Sequence, residues 1–291
     1  MEEQLLEEKR KKTQLVLSNV YNLPAMSTVM LEVSKLLDDP STNTSALSQM
    51  VGKDPGLTTK ILSIANSPLY GLPRKVATID FAILIIGYQD IKNIVIALSM
   101  IDSFKNKNDK FLNQKEFWAH SVLTGNAAKK MAEDLGYRIG SEAFVSGLLH
   151  ELGTAVIHKY FHSSFETIVS DMEENGTSQL EAEFNELGYT HQDIGKFLAE
   201  KWNLPSHHCE AIQKHHTPSL AEEDDVITAI VHLADYATQR LGIGSFYLDN
   251  NYELDMSVVE KLKFENLDAL NEFILGYEEI FNEQMAATNF V

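Results

Sequence analysis

"IDFAILIIGYQDIKNIVIALSMI", residues 79 to 101, is the most apolar window of the chain, and its reading chooses between a membrane span and a buried core. Asp80, Asp90 and Lys92 interrupt it, and charges are expensive in a lipid-embedded helix. The window therefore predicts two buried helices around Gly87 and no membrane anchor. Helical apolar spacing recurs on both sides of it, while strand signals are almost absent. Upstream, Leu23-Pro24 leads into a helix with Val29, Met30, Val33 and Leu37 on its inner face, stopping before Asp39-Pro40. Asp54-Pro55 supplies an N-cap followed by proline at the first helical position, opening a helix through Leu57, Ile61 and Ile64 that ends near Asn66-Ser67-Pro68. Downstream, helices are predicted near 115–135, 141–160, 163–175, 178–188, 190–201, 205–215, 225–241 and 256–285. The fold class is all-α. Residues 105 to 114, KNKNDKFLNQ, are polar and lack periodicity, so the chain divides there into an N-terminal lobe, 1–105, and a second lobe, 106–291.

The 291 residues and 44% hydrophobic content suit a globular protein with a substantial core. Asp and Glu outnumber Lys and Arg by 42 to 24, a formal charge of -18, and no stretch concentrates basic and aromatic residues as a nucleic-acid groove requires. Nucleic-acid binding is disfavoured. The single cysteine, Cys209, excludes an internal disulfide, and the opening MEEQLLEEKRKK lacks the apolar centre of a signal peptide. Both point to the cytoplasm.

"GLLHELGTAVIHKY", residues 147 to 160, sets His150 and Glu151 in an apolar run, where two ionisable neighbours need a partner. A metal ion is one partner; hydrogen-bonded core contacts are the other. Glu116 and His120, four apart in "QKEFWAHSVL", share one helix face and could grip one ion. His191 opens "THQDIGKFLAEKWNLP", His215-His216 ends "CEAIQKHH", and Asp235 lies four residues after Val231 and eight after Ile227, beside the apolar face of its helix. Singly, each reads as a capped or hydrogen-bonded residue. Together they are imidazole and carboxylate groups of the kind that suit iron, manganese, nickel or zinc.

In "LPAM", "KDPGLTTKILSIANSPLYG", "TIDFAILIIG", "FWAHSV", "SGLLHELG", "HQDIGKFLAEKWNLP" and "HHTP", from about Leu17 to Tyr236, the chain resembles the HDOD domain, a branch of the HD phosphohydrolase superfamily related to HD-GYP proteins. The resemblance implies a two-lobed helical bundle acting as an interaction module in bacterial signalling. In metal-binding HD proteins the ligands run as Glu and His on one helix, a His-Asp pair, a further His, a His-His pair and a final Asp. Glu116, His120, His150, His191, His215, His216 and Asp235 match that order, with Glu151 in place of the pair's Asp, a longer carboxylate still able to bridge two ions. The implied cofactor is a two-metal transition-metal site, iron first, with manganese, nickel or zinc as alternatives.

Two departures from active relatives point away from catalysis. Thr154 follows Leu152-Gly153 where a phosphate-binding lysine commonly stands, and "TPSLAEED" replaces the GYP segment, placing Glu222 and Glu223 where a phosphodiester would be repelled. The expected function is a signalling module, metal-binding and weakly catalytic or non-catalytic, that acts on a protein partner, with a small phosphate-containing ligand as a candidate. The alternative is a metal-dependent phosphohydrolase acting on a nucleotide or cyclic dinucleotide. The turn "ANSPLYGLPRKV", with Tyr70 and Arg74, is the expected partner edge. His158 and His162, without a matching carboxylate, read as surface or packing residues; His207 and His208 read as exposed, His232 as one position off the metal face, and Cys209 as a buried structural thiol.

Overall fold

The computed structural model describes residues 2–20, 32, 36, 39, 42–72, 74–104, 109–222, 225–249 and 253–287, and every regular element among them is helical. Helix α1 (Glu2–Val20) is followed by α2 (Thr44–Val51) and α3 (Pro55–Ala65). Asp54 caps α3, its side chain accepting from the Leu57 N–H, with Pro55 at the first position. The deciding window becomes α4 (Ile79–Ile86) and α5 (Tyr88–Phe104), separated at Gly87, whose φ of 100° ends the first helix. No helix among the described residues is long and apolar enough to cross a membrane.

Helix α6 (Gln114–Asp134) is central, with Phe117, Trp118, Val122, Leu123 and Met131 all buried, and it packs most extensively on α7 (Gly140–Leu149). Then come α8 (Leu152–Tyr160), α9 (His162–Asn175), α10 (Gln179–Leu187), α11 (His191–Lys201), α12 (Ser206–Lys214) and α13 (Asp225–Leu241). One apolar cluster runs from Leu17 to Leu248 and includes Phe104 and Leu112 on either side of residues 105–108. Of the segment 105–114 where the division is expected, residues 105–108 lie outside the described residues, as do "LPAM", Val29, Met30, Val33, Leu37, Pro40 and Glu223. A second cluster joins α6 and α13 to the C-terminal helices through Leu123, Ala127, Leu233, Leu270 and Phe281.

Two helices lie where no element was expected, and two expected helices divide. The charged N-terminus is a long helix, docked where the Thr13 hydroxyl donates to the Leu187 carbonyl at 2.8 Å and Arg10 donates to that of Gly188. Helix α2 also forms, capped by Asn43. The helix expected over 141–160 breaks at His150-Glu151, which separates α7 from α8. The helix expected over 256–285 is three: α14 (Ser257–Lys261), α15 (Leu267–Leu275), capped by Asn266, and α16 (Glu278–Ala287). Lys263, at φ 62°, turns the chain between the first two.

Candidate metal centre

The break at His150-Glu151 puts two sequence neighbours into two different groups of ligand atoms. His150 ends α7 and faces His120 on α6 and Asp235 on α13: His120 Nε2 lies 3.2 Å from His150 Nε2 and 3.3 Å from Asp235 Oδ1. Glu151 opens α8 and faces the other way. Its Oε1 is 3.5 Å from His191 Nε2 and 3.7 Å from His215 Nε2, while His191 Nε2 is 3.4 Å from His215 Nε2 and 3.3 Å from His216 Nε2. In each group the ligand atoms lie within 4.8 Å of one another, and all seven residues are buried. The edge-on rings of His150 and His215, 5.1 Å between centroids, join the groups into one centre.

The outer nitrogens fix the orientation of the inner ones. Nδ1–H of His150 donates to the Gly147 carbonyl at 2.6 Å, that of His215 to Ile212 at 2.8 Å, that of His120 to Gly244 at 2.9 Å, and that of His191 to Glu183 Oε2 at 2.8 Å. A carbonyl or carboxylate can only accept, so each bond holds a proton on Nδ1 and aims the Nε2 lone pair inward. The lone pairs of His120 and His150, 3.2 Å apart, and of His191 and His215, 3.4 Å apart, repel unless a cation lies among them. Glu151 Oε1 is buried with no hydrogen-bond donor among the described residues, a further acceptor directed at the same space. Neutral imidazoles and carboxylates so arranged fit transition-metal ions.

The charge states agree with this reading. Burial opposes a proton on His191, yet Glu151 and Glu183 outweigh it and raise the pKa to about 9, so without metal a proton serves as the cation. Burial, then the neighbouring His150 and His191, hold His215 down to about 4, neutral and ready to ligate. Burial works against the charge on Glu151 and Asp235, but the facing histidines carry both well below the usual carboxylate range.

The HDOD family model matches residues 23–218. The chain belongs to the HDOD domain family. An HDOD domain protein of unknown function from Geobacter sulfurreducens is 26% identical, with a TM-score of 0.73 and 97% of each chain covered. A structure from Shewanella amazonensis SB2B, named as a candidate phosphohydrolase, is 22% identical with a TM-score of 0.68, covering 94% of this chain and 97% of that one; it shares the fold. An uncharacterised protein of Treponema pallidum (strain Nichols) is 23% identical over 224 residues, which are 76% of this chain but only 43% of that relative, so the alignment spans less than half of its length.

Of the eight residues singled out as ligands, this HDOD chain brings seven together. Glu116 stands apart: it is exposed, near the start of α6, and its Oε1 accepts from Asn113 Nδ2 at 2.8 Å. One helical turn carries it toward the N-terminus and solvent while His120 enters the centre. Glu151 belongs to one group only, and its Oε2 accepts from the Thr154 hydroxyl at 2.6 Å. Thr154, at the position where active relatives commonly carry lysine, is a buried support for Glu151, itself reached by Gln179 at 3.3 Å.

Several side chains were missed or misread in sequence. Glu183 also accepts from the His191 backbone N–H at 2.7 Å, a positioning role visible only once α10 and α11 are packed. Asp249, in the 3-10 turn Tyr247–Asp249, has Oδ1 3.4 Å from His216 Nε2 and forms a third group with His216 and Asp235. No spacing rule links a loop carboxylate to helices so distant in sequence. His158 does have a carboxylate: it is buried and its Nε2 donates to Asp109 Oδ2 at 2.7 Å, with His162 beside them. His208 is buried rather than exposed, near Ser146, with burial and His207 pushing its pKa to about 3. His232 lies off the ligand face, donating to the His215 carbonyl at 2.6 Å and accepting from the Asp255 N–H at 3.0 Å. Cys209 is buried, and Glu222 is exposed.

Proposed function

We propose that this HDOD protein is a signalling module that holds a two-ion transition-metal centre, iron first among the candidate metals, and acts through a protein partner with little or no hydrolysis of its own. The observation that carries the metal reading is the inward set of Nε2 atoms, fixed by four Nδ1–H bonds to oxygen, with carboxylate oxygens of Glu151 and Asp235 among them. A bound metal would supply Lewis-acid or redox chemistry. His120, His150 and Asp235 would hold one ion, and Glu151, His191, His215 and His216 the other.

The signalling reading is supported by Thr154, whose hydroxyl is engaged with Glu151 at the position where active relatives commonly carry lysine. Holding a phosphate against an ion requires cationic or shaped groups in addition to the ion. The partner edge is assigned to the segment around Tyr70 and Arg74. Its 3-10 turn Pro68–Tyr70 is anchored by buried Leu69 and by Ser67, which donates to Gln284 on α16, leaving Arg74 exposed. The alternative, a metal-dependent phosphohydrolase, is favoured by the two adjoining ligand groups and by the naming of the Shewanella structure.

Elemental analysis of protein purified without added metal or chelator tests the centre, together with melting of His150→Ala and Asp235→Ala. Near-stoichiometric transition metal, lost from both variants with a lower melting temperature, is expected, since a ligand bound only by the folded state stabilises it. Metal-poor parent with unaltered variants refutes the metal reading. Turnover of a cyclic dinucleotide by the iron- or manganese-loaded parent at about one per second or faster selects the phosphohydrolase instead.

A further inference from the structure

The segment that follows α13 lies against the centre with three successive kinds of contact. The Gly244 carbonyl receives the His120 Nδ1–H. The Phe246 ring lies over His120, 6.0 Å between centroids and 29° from parallel, and packs edge-on against Phe117 at 5.2 Å. Asp249 then brings its carboxylate to His216 and Asp235. The seating is tight: Gly244 has φ 65°, and a Cβ there would lie 2.6 Å from Leu123 Cδ2. Phe246 and Leu248 are 3% and 5% exposed, so the segment is packed core rather than a loose flap.

Asp249 has no evident reason to be buried if the centre holds only protein. Its Oδ2 has no donor among the described residues, and its buried neighbours include a second carboxylate, Asp235. Two acceptor-only carboxylates cannot satisfy one another; a proton or a cation must lie between them. A metal ion would fill that place, and His216 Nε2, 3.4 Å from Asp249 Oδ1, already shares it.

We infer that Asp249 is a further ligand of the metal centre, delivered by the segment Gly244–Asp249, and that this segment occupies the coordination face an outside anion would need. The inference rests on the metal-binding reading above. It gives a carboxylate from the loop after α13 the part expected of Glu116, and it makes access conditional. A phosphate reaching the ions must displace Asp249 and move Phe246.

The test compares the parent with Asp249→Asn, nearly the same in shape, each prepared metal-free and loaded with manganese or iron. The readouts are melting temperature in both forms, metal affinity by chelator competition, and the response of the metal's spectrum to millimolar inorganic phosphate. In the variant we expect metal affinity to fall by about tenfold or more and the metal-induced rise in melting temperature to shrink. The metal-free variant should melt close to the parent, because the amide can donate to Asp235 where two carboxylates need a proton between them. Phosphate should alter the variant's spectrum and leave the parent's unchanged. Unchanged affinity in the variant, or a metal-free melting temperature lowered as much as the loaded one, makes Asp249 merely structural and overturns the inference. A parent whose spectrum already responds to phosphate overturns the closed face. A parent that takes up no metal overturns the metal reading and this inference with it, whereas failure in a metal-binding parent overturns the inference alone.

Discussion

Gly153→Ala should damage the centre without touching a ligand. Gly153 is the second residue of α8, two after Glu151, and a Cβ placed on it would lie 1.9 Å from the His191 carbonyl oxygen, 2.6 Å from its carbonyl carbon and 2.8 Å from its Cα. Those are backbone atoms at the start of α11, so no flexible side chain can swing aside. Ordinary contact begins at 3.4 Å, and reaching it requires the two helices to part by about 1.5 Å. Ligand positions tolerate only about 0.2 Å, whereas this movement acts directly between Glu151 and His191, whose ligand atoms are 3.5 Å apart. Metal affinity should fall by at least about 100-fold, or about 2.7 kcal/mol. The overpacked interface itself should cost about 1–3 kcal/mol of folding stability, or roughly 2–12 °C in melting temperature for a chain of this size. Chelator competition and metal-free melting curves measure the two effects separately. A variant that keeps the parent's metal affinity, whatever its melting temperature, would refute the claim that α8–α11 packing sets the ligand geometry.

Thr154→Val removes the hydroxyl that donates to Glu151 and should cost about 1–3 kcal/mol, while Thr154→Ser stays near the parent; Thr154→Lys should lower metal content and confer no phosphate affinity, as elemental analysis and phosphate titration would reveal. Glu183→Gln should weaken metal binding about 10- to 100-fold and flatten a pH dependence of the metal-free protein. His191 has its pKa raised from 6.5 to about 9, so its contribution to stability is complete below pH 6.5 and is lost as pH rises through 9. Melting temperature of the metal-free parent should therefore fall across that interval more than that of Glu183→Gln. Parallel profiles would show that Glu183 does not hold the proton.

Local rules read the helices well wherever the signal was local. Asp54-Pro55 opens α3 and Gly87 splits the apolar window, because a cap and a left-handed glycine act within a turn of themselves. The same rules failed where neighbours decide. Periodicity carried 141–160 through as one helix, since His150 and Glu151 do not interrupt the apolar pattern; the break follows from the two residues facing separate groups of partners. α1 lacks a strong apolar stripe and owes its place to contacts with residues 187–189, more than 160 positions away.

Residue types and order determined the candidate ligand set, because imidazole and carboxylate chemistry is a property of the side chains alone. Convergence belongs to the tertiary structure. Helical spacing gave Glu116 and His120 a shared face, yet one turn along a 1.5 Å-per-residue axis separates an exposed carboxylate from a buried imidazole. Chain folding alone brought Asp249 and Glu183 to His216 and His191, turned Thr154 toward Glu151, and tied four Nδ1 atoms to oxygens that no motif specifies. Sequence sets which groups can bind a metal; the packing of α6, α7, α8, α11, α12 and α13 sets which lone pairs meet, because direction and distance exist only between elements.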